Sequence, residues 1–179
     1  MCQACETKTV YQFINKRKVC KRCFVNWFEK KFFYTIRKFD MIKKGDVVGY
    51  ENNSVLEELF TMFSKKAPVQ VVKLPSSKKI TKKAIALTTD DIANAVVESV
   101  IKKDASKLKL APVQGKTICP LYLFTRKEVE LYAKLKNLKH KKTKLKKDKI
   151  SEFLDDLEKK HPEIKWSIVQ GNLKLIMGQ

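Results

Sequence analysis

Apolar residues at Phe24, Trp27, Phe28, Phe32, Ile36 and Phe39 recur three or four positions apart, a spacing that predicts a helix. Its end is expected near Lys43 and Lys44, where basic residues suit the negative helix terminus and Gly45 suits a left-handed cap. Val47 and Val48 read as a short strand, followed by a polar turn and a capping box of Ser54 with Glu57. That box opens a helix through Leu56, Leu59, Phe60 and Phe63, which stops before Pro68, and Val69 to Leu74 has strand composition. Pro75 to Lys83 reads as a lysine-rich connector, Ala84 to Leu87 as a strand, and Ile92, Val96 and Val100 as the stripe of a helix begun by Asp90 and Asp91. Lys102 to Gln114 reads as an exposed loop, and Cys119 to Phe124 as a buried segment interrupted by Pro120. Thr125 with Glu128 makes a second capping box, and Ile150, Phe153, Leu154 and Leu157 mark a last clear helix ending at His161 and Pro162. Trp166 to Met177 fits no single pattern. Alternating strands and helices imply an α/β fold with a parallel sheet.

With 179 residues there is room for one ordinary domain and a small appendage, and two full enzyme domains are excluded. An apolar fraction of 44% is enough to furnish a core, so global disorder is not expected. The 39 Lys and Arg against 19 Asp and Glu leave a net charge of +20, whose field calls for a polyanionic partner. Phosphate backbones are the natural target because binding them releases counterions. No stretch approaches the roughly 20 apolar residues of a transmembrane helix, and no signal-like start is present. A cytoplasmic protein that avoids membranes is the expectation. Lys134 to Lys149 holds nine lysines and one acid, more than solubility requires. Lys134, Lys136, Lys139, His140, Lys141, Lys142, Lys144, Lys146 and Lys147 are therefore the candidate RNA contacts.

Four of the five cysteines crowd into the first 23 residues as two C-x2-C pairs, Cys2 with Cys5 and Cys20 with Cys23, separated by fourteen residues. Each such turn aims two sulfurs at one point, and four thiolates suit a closed tetrahedral site, zinc before iron, with a structural role. The fifth, Cys119, stands alone in an apolar segment, where packing and sulfur transfer are the alternatives.

The two cysteine pairs, the helix opening Phe24-Val25-Asn26-Trp27-Phe28-Glu29 and the following Gly45-Asp46-Val47-Val48 resemble the N-terminal part of the archaeal and eukaryotic cytosolic tRNA wobble-uridine 2-thiolation proteins, a branch of the PP-loop superfamily. Thr89-Asp90-Asp91-Ile92-Ala93, Pro120-Leu121 with Glu128 to Ala133, and Pro162 to Lys165 are similar to later family segments. The resemblance implies a PP-loop-like, Rossmann-like sheet over residues 45–179, with the knuckle and aromatic-rich helix at 1–44.

Active members carry a Ser-Gly-Gly-x-Asp-Ser loop that wraps the ATP pyrophosphate, and here that place reads Gly49-Tyr50-Glu51-Asn52-Asn53-Ser54. The family's further cysteines have no counterpart, and the chain is shorter than active members. The resemblance with these departures implies a reduced, non-catalytic member, not itself an enzyme. Its expected role is to bring tRNA affinity and a docking surface to a catalytic thiolase subunit. The rival readings are a minimal sulfurtransferase using Cys119 and a stand-alone zinc-containing nucleic-acid binder.

Overall fold

The computed structural model describes residues 1–104, 110–139 and 149–178. After a hairpin of β1 (Thr9–Gln12) and β2 (Lys18–Cys20) comes α1 (Lys21–Lys38). The α/β part then runs β3 (Val47–Tyr50), α2 (Ser54–Ser64), β4 (Gln70–Lys73), β5 (Lys82–Ala84) and α3 (Thr89–Lys102). It continues through β6 (Val113–Gln114), β7 (Thr117–Ile118), α4 (Arg126–Leu135), α5 (Lys149–Lys160) and α6 (Ile164–Met177).

Strand order in the main sheet is β4-β3-β5-β7-β6, with β6 alone antiparallel to its neighbour. Register sets Tyr50, Ala84 and Ile118 side by side across three strands, and all three enter one core with Val48. Phe28, Phe32 and Ile36 of α1, Leu56, Leu59 and Phe60 of α2, and Val129 and Tyr132 of α4 close that face. Phe28 stacks on Tyr132 with ring centroids 4.2 Å apart. Residues of α1 and residues beyond Gly45 thus share one core. Because side chains alternate along a strand, Ile85 and Cys119, each one residue past Ala84 and Ile118, turn to the other face. There they join Ile92, Ala93, Leu154, Val169 and Leu173 from α3, α5 and α6. Helices on both faces of a mostly parallel sheet make a doubly wound α/β layer.

Four local expectations are corrected. Helix α1 ends at Lys38, not near Lys44, because Asp40 takes a left-handed φ of 45° and Met41 returns its amide to the Ile36 carbonyl at 3.0 Å. This is a Schellman ending, and the complete burial of Met41 fixes it. The cap of α2 is Asn53, not Ser54: its Oδ1 accepts from the Val55 and Leu56 amides, both at 3.0 Å. Asn53→Ala is expected to cost about 1 kcal/mol, measured as a lower denaturant midpoint with unchanged slope. Strand β5 begins inside the lysine-rich connector, because ladders arriving from β3 and β7 fix its place whatever its side chains. The stretch read as an exposed loop before Cys119 contains β6.

The unpatterned C-terminal segment is helix α6. Its periodicity was obscured because Trp166, Leu175 and Met177 are exposed while Lys165 and Asn172 are buried. Among the described residues no helix is long and apolar enough to cross a membrane.

Candidate functional site

The hairpin folds the second cysteine pair back over the first. Gln3 donates its amide to the Lys18 carbonyl at 3.1 Å, and Cys2 donates to Thr7 at 2.8 Å, so both ends of the loop are pinned. Cys20 then lies at the junction of β2 and α1, with Cys23 one turn further on. The four Sγ atoms lie within 4.8 Å of one another. Cys5 Sγ is 3.6 Å from Cys2, 3.3 Å from Cys20 and 3.7 Å from Cys23. Hydrogen bonds from the Thr7 hydroxyl and the Cys23 amide hold the Cys20 thiol down to about 6. The Ala4 amide likewise lowers Cys2. Cys20 and Cys2 therefore lean toward the thiolate, the form that ligates metal, while the neighbouring sulfurs of Cys20 and Cys5 push Cys23 up to about 12. The four cysteines form a metal-binding cluster.

Tyr11 and Phe13 pack this knuckle onto α1. Tyr11 meets Phe24 at 5.0 Å, and Phe13 meets the Trp27 ring edge-on at 4.6 Å. Phe13 also carries the Arg17 guanidinium over its face at 4.6 Å.

A second constellation gathers where α3, α4 and α6 begin. Asp91 completes a capping box with Thr88 and pairs with Arg126 at 2.7 Å. Asp90 is buried, accepting from the Arg126 amide at 2.7 Å and from Lys165 Nζ at 2.9 Å. Lys165 also reaches Asp155 at 2.5 Å and Glu158 at 3.4 Å. Burial alone would pull the Lys165 amine down, but the Asp155 hydrogen bond and the field of Asp90 outweigh it and leave the group above the ordinary lysine range. Asp91 therefore caps α3, while Asp90 works through a buried ion pair. Lys165 was missed as a structural residue. The signal available was a lysine in an otherwise apolar stretch, which needs carboxylates if it is buried.

The loop after β3 is held by groups of the chain itself: Glu51 pairs with Lys83 at 2.7 Å, and Asn53 caps α2. Cys119 lies at the end of β7, 5% exposed, and burial pushes its thiol up to about 12. A thiol held in that form is a weak nucleophile.

Of the candidate RNA contacts, Lys134 and Lys139 are exposed at and just beyond the end of α4. Lys136 meets Glu58 at 2.7 Å and Glu29 at 3.5 Å, tying α4 to α2 and α1. His140, Lys141, Lys142, Lys144, Lys146 and Lys147 lie outside the described residues.

No family model matches this chain, and no curated protein matches it. Among solved structures it is similar to "U34-tRNA thiolase NcsA from Methanococcus maripaludis with its [4Fe-4S] cluster". Identity is 21%, the match covers 98% of this chain and 87% of that one, and the TM-score is 0.78. This likeness overturns the expectation of a reduced member that is no enzyme. The fold shared over 98% of the chain is that of a thiolase, and the match leaves out only a small part of that protein's length. The chain has the α/β, PP-loop-like fold of that thiolase, preceded by a four-cysteine metal knuckle.

Proposed function

We propose that this chain acts in the 2-thiolation of the wobble uridine of tRNA, with the four N-terminal cysteines holding a structural zinc ion. The observation that carries the pathway is the likeness to the U34-tRNA thiolase across 98% of the chain. The net charge of +20 supports it, since a tRNA is the polyanion such a protein would bind. Lys134, Lys139 and the lysine run beyond them supply cations for phosphates.

Zinc is favoured over an iron-sulfur cluster by the sulfur spacing. A zinc ion with Zn–S bonds of about 2.3 Å has thiolates about 3.8 Å apart along each tetrahedral edge. Cys5 sits 3.3 to 3.7 Å from its three partners, close to that edge. A four-iron cluster interposes iron and sulfide between its cysteines and holds them much farther apart. A closed four-sulfur zinc site has no open position, so its work is to fix the hairpin on α1.

The test is nucleoside analysis of bulk tRNA from cells lacking the gene. Loss of 2-thiolated wobble uridine, restored by the intact chain, is the expected result. An unchanged level of the modification overturns the proposal.

A further inference from the structure

We propose that the cleft between the cysteine knuckle and α1 seats nucleotides of a single-stranded stretch of RNA, which makes the knuckle part of the binding surface as well as a structural unit. The identity of the RNA as tRNA rests on the thiolation reading.

The cleft measures about 560 Å³, within the range of small-ligand sites. Its floor is a stripe of α1 in which Cys23, Asn26, Trp27, Lys30 and Tyr34 follow one another at helical spacing. Its wall is the start of β2 with the first cysteine turn, joined by the Gln3 to Lys18 hydrogen bond. None of the lining residues is acidic. Arg17, Lys18 and Lys30 are exposed, and among the described residues none of the three is in an ion pair. Lys31 also borders the cleft, but its charge is engaged by Glu128 at 3.0 Å.

Aromatic surface lies among these cations. Tyr34 is 47% exposed, and Trp27 is half-buried with its indole wedged between Phe13 and the Lys31 amine. Asn26, exposed between them, offers an amide that donates and accepts. Tyr34 is therefore the ring a base can reach, with Lys38 Nζ 5.8 Å from its centroid, and it stands beside Lys18 and Lys30 in the pattern that stacks an unpaired base and tracks its phosphates. The surroundings add to the field, since residues 1–44 carry twelve Lys and Arg against three Asp and Glu. An acidic peptide would use the cations and leave the Tyr34 ring idle, so RNA is the occupant that uses the whole surface.

The experiment titrates an unmodified tRNA transcript onto the zinc-loaded full chain. Lys18→Glu with Lys30→Glu is compared with Lys159→Glu with Lys174→Glu, an equal charge change on α5 and α6. The cleft pair is expected to weaken binding by about tenfold or more and the control pair by no more than about threefold. Tyr34→Ala should weaken it about fivefold, and ultraviolet cross-links should map to Tyr34. Zinc content and melting temperature equal to the native chain's establish that the variants are folded. Equal weakening by the two charge pairs, cross-links confined to other regions, or polyglutamate competing as well as an oligonucleotide of equal charge overturns the proposal. So does a native chain that fails to bind tRNA at all. The thiolation reading is decided separately by the nucleoside analysis, so either can fail without the other.

Discussion

Cys20→Ser releases the metal and unravels the first twenty residues: that is the expected result with the largest effect on the chain. Cys20 sits at the joint of β2 and α1, and its sulfur is 3.3 Å from that of Cys5. A serine hydroxyl does not replace a thiolate in a closed tetrahedral set. Structural zinc in small fingers contributes about 10–16 kcal/mol of apparent binding free energy, and a segment whose order depends on it loses that order with the ion. Apart from the packing of Tyr11 and Phe13 on α1, the hairpin has little to hold it, since β1 and β2 span only four and three residues. Metal analysis of the native chain should give one zinc per molecule, and the variant should give none. Limited proteolysis should then cut the variant between residues 1 and 20 while leaving the sheet whole. Cys119→Ser, which lies in the other core, is expected to keep its zinc. A Cys20→Ser chain that retains metal and resists the protease would sink the structural role. Iron and inorganic sulfide in place of zinc in the native chain would sink the choice of metal.

The second large effect is expected at Lys165. Replacing it by Met keeps most of the side-chain volume and removes the cation, leaving the Asp90 carboxylate, 9% exposed, without its ionic partner. Removing one side of a buried pair costs about 3–5 kcal/mol, because the charge left behind is uncompensated. Against a typical total of about 5–15 kcal/mol this is a large fraction. Asp155 contributes less to the pair's worth, since its side chain is 58% exposed and screened by water. The measurement is the urea midpoint at constant slope. The Lys165→Met, Asp90→Asn double variant should recover part of the loss, because the uncompensated charge is gone. A single variant within about 1 kcal/mol of the native chain would show that the Arg126 amide alone suffices for Asp90.

Much of this was legible before any coordinates. The apolar stripe from Phe24 to Ile36 announced α1, because a helix burying one face repeats its contacts every three or four residues. The Thr125 and Glu128 box marked the start of α4 by local chemistry alone. The two cysteine pairs converged as their spacing required. What was not legible depends on contacts distant in sequence. Lys82 and Lys83 form a central strand only because strands on either side pair with them. Met41 ends α1 early through its own burial, which no spacing rule reports. Lys165 looked like the tail of a motif until Asp90, 75 positions earlier, was seen beside it. The loop after β3 misled in another way: a changed phosphate loop suggested a stripped scaffold, whereas helices cover both faces of the sheet and the fold matches that of a thiolase over 98% of the chain.

Helix α1 is common to the knuckle and to the core of the sheet, and it is continuous over 18 residues. At 1.5 Å per residue it is about 27 Å long. It therefore acts as a ruler. Whatever docks at the cysteine end is held at a set distance from the parallel strands that α1 packs against, with no hinge between them to adjust. Inserting one residue in α1 would rotate the knuckle by about 100° relative to the sheet as well as lengthening the span, so the spacing between Cys23 and Phe32 is itself part of the design.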